Sequence, residues 1–168
     1  MTQKIKSETI EISDSAKMKI IAVGNSLYGD DGIGEAVLKA LTDIPELENV
    51  DLIDGATDAL GLIDYFTDTD HVIIIDAASM NKEPGTVQVF NSDQVDLMIK
   101  TDHLSLHGIS LAETFEIAKL ADELPKKITI IGIEPMQLNV ASGLSEPVEQ
   151  AIPVAVTKII EILQSSTL

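Results

Sequence analysis

The sequence predicts a three-layer α/β domain, in which a mainly parallel, twisted sheet carries helices on both faces. Apolar runs alternate along the chain with segments of helical period, which is the pattern of repeated strand–helix units. Several of these runs are continuously apolar, as in strands that are covered on both sides. The chain has 168 residues, 45% of them hydrophobic, which is enough for one core. We expect residues 18–168 to form this domain and residues 1–17 to form a polar N-terminal arm.

The first half of the chain supplies three strands and two helices. Residues 18–24 and 71–78 are continuous apolar runs, and the second is rich in Ile and closes on Asp76, which favours a central strand. Residues 49–54 form the shorter strand between them. The segment 33–41 places its apolar residues on one helical face, and residues 58–66 have the same character.

The second half continues the alternation. Residues 86–91 alternate apolar and polar side chains after the turn KEPG, so we expect an edge or antiparallel strand there. A polar loop with two histidines precedes a helix over 110–124. Residues 126–135 form another buried strand, and an amphipathic helix over 146–163 ends the domain.

The charge balance excludes several classes of function. The chain has 28 acidic and 11 basic residues, and its net charge is −17. All basic residues are Lys, so the Arg side chains that usually clamp phosphate are absent. We therefore expect neither nucleic-acid binding nor membrane insertion. The chain has no Cys, which excludes disulfides, thiol catalysis and thiolate zinc sites. No long apolar stretch opens the sequence, so we expect a soluble, cytoplasmic protein.

Polar side chains follow the predicted strands at one edge of the sheet. Asp31 follows the first strand after a glycine-rich turn, Asp54 closes the second, and Asp76 closes the third. His107 lies in the loop before a helix and can reach the same edge. In open α/β sheets, ligands bind at the carboxyl ends of the strands. Two carboxylates and an imidazole suit a divalent transition metal such as nickel or zinc, with positions left for water or substrate.

Each candidate also has a purely structural interpretation. Asp30 or Asp31 could cap the following helix, where a carboxylate meets unpaired N–H groups. His107 could be an ordinary surface histidine, and His103 is a rival ligand if its segment is helical. His71 precedes its strand at the opposite edge of the sheet, so we expect it to be structural or exposed. The spacing alone leaves these alternatives open.

The stretch GNSLYGDDGIG, residues Gly24–Gly34, resembles the G-N-x-L-x-x-D-[DE]-G-x-G signature of the hydrogenase maturation proteases. Four later segments resemble that family in the same order: DLIDGATDALGLID, HVIIIDAASMNKEPGTVQVF, LSLHGISLAETFEIA and ELPKKITIIGIEP. The resemblance runs from about Met18 to the last helix. It implies an endopeptidase that removes the C-terminal extension of a nickel–iron hydrogenase large-subunit precursor.

The resemblance also implies roles for individual residues. The family's three metal-coordinating positions fall on Asp31, Asp76 and His107, and the two aspartates are the implied catalytic groups. Asp30 is then the neighbouring acid of the motif and not a ligand. Nickel is expected to arrive with the precursor, although other divalent metals could occupy the site in vitro. Because carboxylates replace a thiol or serine nucleophile, we expect aspartic-type endopeptidase activity.

A second implied region is the segment Asp54, Gly55, Ala56 and Thr57, which is expected to bind substrate. The family usually has D-G-G-T here, so Ala56 replaces a glycine. Glycine adopts backbone conformations that alanine resists, and the shape of this loop is therefore open.

Three other classes of function share parts of this pattern. A dinucleotide-binding module is disfavoured because the turn is not G-x-G-x-x-G and two acids would repel pyrophosphate. A receiver domain needs a Lys at the carboxyl end of its last strand, where this chain has Glu134 and Pro135. A non-catalytic nickel-binding assembly factor for the large subunit could use the same ligands and remains the alternative.

Overall fold

The computed structural model describes residues 17–47, 49–55, 58, 60–94 and 111–165. Within them, one five-stranded sheet is built from β1 (Met18–Ala22), β2 (Asp51–Asp54), β3 (His71–Ala77), β4 (Val87–Asn91) and β5 (Lys127–Ile133). The strand order is β2-β1-β3-β5-β4. All pairings are parallel except that of β4, an antiparallel edge strand on β5. The predicted mainly parallel sheet and the antiparallel edge strand are both confirmed.

Helices cover both faces of this sheet. They are α1 (Ile33–Thr42), α2 (Leu62–Phe66), α3 (Leu111–Leu120) and α4 (Glu146–Ser165), with short 3-10 turns at Gly29–Gly32 and Pro45–Leu47. The core has two parts because successive strand residues point to opposite faces. Helices α1 and α4 pack on one face. Helices α2 and α3 pack on the other, where the Phe66 and Phe115 rings stack with centroids 5.9 Å apart. The three-layer prediction is therefore confirmed.

Several elements are shorter than the sequence pattern predicts, and for three of them the structure shows a local reason. Strand β1 stops at Ala22, because Gly24 shortly after it has a φ of +128°, outside the β region, and turns the chain away. Helix α2 begins at Leu62, because Asp58 Oδ1 accepts a hydrogen bond from the Gly61 amide at 2.9 Å and holds a turn before the helix. Helix α3 ends at Leu120, and Asp122 beyond it has a φ of +60°.

The amino-terminal edge of the sheet is closed by structural contacts. His71 opens β3 and is buried, with its Nε2 atom 2.9 Å from Thr129 Oγ1 on β5. Burial lowers the pKa of His71 to about 4, and the positive charge of Lys127 adds to this effect. Lys17 accepts backbone hydrogen bonds from Asp70 and His71. His71 is therefore structural, while residues 1–16 of the expected arm lie outside the described residues.

No helix among the described residues is both long and apolar enough to cross a lipid bilayer.

Candidate functional site

The candidate site lies where the chain changes direction across the sheet. From β1 the chain goes to β2 on one side, and β3 lies on the other side of β1. The crevice at the carboxyl ends of β1 and β3 is therefore the topological switch point, the usual ligand site of open α/β sheets. The start of helix α1 packs closely against the ends of β1 and β3 at this crevice. A Cβ added to Gly34 would lie 2.7 Å from the Val23 carbonyl oxygen and 3.0 Å from that of Ile75.

The turn after β1 orients Asp31 at this crevice. Asp31 Oδ2 accepts a hydrogen bond from the backbone amide of Asn25 at 2.8 Å, and the residue is half-buried. Gly24 permits this arrangement, since a Cβ at that position would overlap the backbone carbonyl oxygen of Asp31. The glycine-rich turn thus folds back on the aspartate that the sequence singled out.

Asp76 comes from the neighbouring strand and is almost completely buried, with 1% of its surface exposed. Among the described residues, neither of its carboxylate oxygens has a hydrogen-bond partner. Burial raises the pKa of Asp76 well above its usual range, and the negative charge of Asp31 raises it further. The backbone amide of Ala77 opposes the rise, although its geometry falls short of a hydrogen bond. A buried carboxylate without donors is a group that a cation would stabilise.

Asp30 has a different role from its neighbour. Its side chain is fully buried and accepts hydrogen bonds from the Met136 and Gln137 amides, both at 2.8 Å, and from the Ser145 amide at 2.6 Å and hydroxyl at 2.8 Å. Burial alone would raise the pKa of Asp30, but these hydrogen bonds outweigh it and lower the pKa. Gly32 occupies the N-cap position of α1, so the interpretation of either aspartate as the capping residue is wrong.

Glu134, at the end of β5, is a positioning residue that the sequence did not single out for this role. Its buried side chain accepts hydrogen bonds through Oε2 from the backbone amides of Met80 at 2.6 Å and Lys82 at 3.2 Å. It thereby fixes the loop that follows β3 and Asp76. The available signal was an acidic residue directly after a buried apolar strand.

The segment expected to bind substrate is described only in part. Asp54 ends β2 and is exposed. Gly55 follows, and its amide donates to the Ala22 carbonyl at 2.8 Å. A Cβ at Gly55 would lie within 2.9 Å of both Leu62 and Ile21 side-chain atoms. Ala56 and Thr57 lie outside the described residues.

The expected third ligand cannot be placed beside the two aspartates. His107 and its rival His103 both lie outside the described residues. Among the residues that are described, no three His, Asp or Glu side chains come together as a metal site. The structure therefore shows two carboxylates at the crevice, and the ligand assignment of Asp31, Asp76 and His107 stays a prediction.

Comparisons with known proteins agree on one family. A sequence model described as hydrogenase maturation protease matches residues 36–162. The chain is 31% identical over 151 residues to the hydrogenase expression/formation protein HupD of Rhizobium leguminosarum bv. viciae, covering 89% of this chain and 75% of HupD. It is 30% identical over 154 residues to the hydrogenase 2 maturation protease of Escherichia coli K12, covering 89% and 92% of the two chains. The solved structure of the hydrogenase maturating endopeptidase HybD from E. coli superposes with a TM-score of 0.79 at 30% identity, covering 89% of this chain and 93% of HybD.

These findings correct one expectation. The chain matches hydrogenase maturation proteases, which are not of the aspartic protease class, so the expected aspartic-type activity is wrong. The geometry gives a physical reason. In an aspartic protease, two carboxylates share one proton, and their mutual repulsion separates the two pKa values. Here neither carboxylate oxygen of Asp76 has a hydrogen-bond partner among the described residues, so no proton is shared between Asp76 and Asp31 and the pair is not such a dyad.

Proposed function

This chain belongs to the hydrogenase maturation protease family, and from that premise we propose that it removes the C-terminal extension of a nickel–iron hydrogenase large-subunit precursor once nickel has been inserted. One observation carries the proposal. Asp76, which is buried and has no hydrogen-bond partner among the described residues, and the half-buried Asp31 both lie at the switch point of the sheet.

The two aspartates are suited to recognise a metal ion that the substrate brings. Asp76 is buried without donors among the described residues, so an incoming cation would supply the missing interaction. Carboxylate oxygens and imidazole are suitable ligands for nickel. We propose that Asp31, Asp76 and His107 together contact the nickel of the precursor, which makes this ion part of the substrate.

The chemistry requires a water molecule to attack a peptide carbonyl and to lose a proton, after which the C–N bond breaks and the departing amine takes up that proton. Contact with the metal would position the scissile bond and polarise its carbonyl or a bound water. A carboxylate can accept the proton as general base. Asp31 is half-exposed whereas Asp76 is 1% exposed, so we assign the proton acceptor to Asp31 and the anchoring of the metal to Asp76.

The segment that follows β2 is proposed to bind the precursor chain. Asp54 and Gly55 lie at the same edge of the sheet as Asp31, and Ala56 and Thr57 continue this segment. Gly55 is packed between the Leu62 and Ile21 side chains, which fixes where the segment leaves the sheet. The reaction is proposed to take place in the cytoplasm.

The test is cleavage of candidate large-subunit precursors, with and without nickel, followed by mass spectrometry. We expect loss of a C-terminal fragment only from the nickel-loaded precursor. A nickel-dependent complex that leaves the precursor intact would instead establish the alternative, a non-catalytic nickel-binding assembly factor. Cleavage of both samples alike would contradict the metal's role.

Single substitutions locate the chemistry within the site. Asp76→Asn and His107→Ala should each abolish cleavage, because each removes a metal contact, while the thermal unfolding temperature stays close to that of the wild type. Asp51→Asn, an exposed aspartate on β2, is the matched control and should cleave normally. Normal cleavage by His107→Ala together with loss in His103→Ala would move the third contact to His103.

A further inference from the structure

Two segments beside the candidate site carry no charge in a strongly acidic protein. Residues 24–29 follow β1 and residues 135–144 follow β5, so both lie at the carboxyl edge of the sheet. Neither contains Asp, Glu or Lys, although the chain as a whole has 28 acidic residues and a net charge of −17. The two segments therefore form an uncharged region at the functional edge of an otherwise strongly acidic molecule.

Hydrogen bonds hold the two segments together. The buried Asp30 side chain accepts from Met136, Gln137 and Ser145. Its own amide donates to the Gln137 carbonyl at 2.9 Å, and the Ala141 amide donates to the Leu27 carbonyl at 2.8 Å. We refer to these bonds as the clasp. The clasp fixes both segments relative to Asp31, the next residue along the chain.

The clasped segments expose large apolar side chains. Val140 is 71% exposed, Leu27 65% and Met136 62%, and Leu138 and Tyr28 are exposed as well. These five residues form what we term the apolar rim. Next to it is a cleft of about 270 Å³ between the β1 turn, the start of α1 and the second segment, where Gly29, Gly32, Glu35 and Gly143 are among the lining residues. Scattered apolar side chains are normal on a surface, but a grouped set marks a binding site.

Charge and position together indicate what binds there. A second copy of this chain would bring a further net charge of −17, so long-range repulsion opposes self-association through this face. The rim adjoins Asp31, since the Asp31 amide donates a hydrogen bond to the carbonyl of the rim residue Tyr28 at 3.2 Å. The proposed reaction brings a polypeptide substrate to this aspartate. A substrate segment that is itself apolar would dock without meeting like charge.

We infer that the apolar rim is the docking surface for an apolar segment of the large-subunit precursor, adjacent to the bond that is cleaved. This inference rests on the proposed function, since it assigns the surface to that reaction's substrate. The rim holds the precursor chain while the clasp sets its distance from Asp31. Affinity for the polypeptide would thus reside in Leu27, Leu138, Val140 and their neighbours and not in the aspartates.

The test compares a double variant, Leu138→Ser with Val140→Ser, with the wild type on the nickel-loaded precursor. Both side chains are exposed, so the thermal unfolding temperature should not change. We expect KM and the equilibrium dissociation constant to rise about tenfold or more, because apolar contact area is lost at the interface, while kcat at saturating precursor stays the same. Val140→Thr, which preserves shape, should give a smaller rise.

Leu120→Ser is the matched control. Leu120 is 89% exposed at the end of α3, shortly before β5 begins at the opposite edge of the sheet, and its loss should leave KM and binding unchanged. Unchanged precursor binding by the double variant would overturn the inference. It would also be overturned if the wild type were a dimer, and the double variant were a monomer that binds the precursor normally. Binding that depends on the rim without any cleavage would support the docking surface and overturn the endopeptidase proposal instead.

Discussion

At the scale of single residues, two neighbouring aspartates perform separate tasks. Asp30 accepts hydrogen bonds from a distant segment, whereas Asp31 contacts its own turn through the Asn25 amide. The same residue type therefore serves as a structural anchor at one position and as a candidate reactive group at the next. Asp30 also differs from Asp76, the second buried aspartate. Burial raises the pKa of Asp76, whereas hydrogen bonds lower the pKa of Asp30.

His71 provides a prediction for stability against pH. Its pKa is lowered from 6.5 to about 4 in the folded protein, so between these values the unfolded chain binds more protons than the folded one. The contribution of His71 is complete above about pH 6.5, and the free energy of unfolding should fall as the pH drops towards 4. We expect chemical denaturation to show a weaker fall for His71→Gln, which cannot titrate. Parallel curves for the two proteins would contradict this assignment.

At the scale of elements, the clasp links the turn before α1 to the segment before α4. Asp30→Ala would leave the Met136, Gln137 and Ser145 donors unsatisfied, and we expect it to lower the free energy of unfolding by roughly 2–3 kcal/mol. Urea denaturation measures this change. Asp43→Ala, at an exposed aspartate after α1, should change it far less. Equal effects of the two substitutions would show that the clasp contributes little to stability.

The sequence predicts the elements better than their ends or their long-range contacts. The continuous Ile run of β3 and the helical period of α1 are local patterns, and the structure confirms both. The early stop of β1 depends on the conformation of Gly24, and the late start of α2 depends on the Asp58 side chain. Neither the conformation of one glycine nor a local hydrogen bond from one side chain alters the hydrophobic periodicity, so the pattern does not locate these ends.

In the candidate site, too, local patterns are predictable and long-range contacts are not. Asp31 and Asp76 are predictable because each follows a buried strand at the carboxyl edge of a parallel sheet. The clasp role of Asp30 and the loop contact of Glu134 were not predicted, since their partners are more than 50 residues away along the chain. A single sequence gives no direct information about pairs that meet only through the fold.

At the scale of the whole molecule, the net charge of −17 is the dominant feature. Repulsion among like charges destabilises a compact state and is screened by salt. We therefore expect the unfolding temperature to rise between low and moderate NaCl concentrations, by about 3 °C for each kcal/mol of repulsion that is screened. Differential scanning calorimetry measures this rise. An unfolding temperature that is constant or falls with NaCl would show that favourable ion pairs outweigh the repulsion.

The strand order leaves β2 at one margin of the sheet, where unpaired backbone groups could recruit a strand from another molecule. This strand has only four residues, and it begins and ends with aspartate, Asp51 and Asp54. Two such strands side by side would bring carboxylates together along a very short ladder, which opposes pairing. The fold thus protects itself against fibril-like aggregation at this margin, even though it presents bare apolar side chains elsewhere.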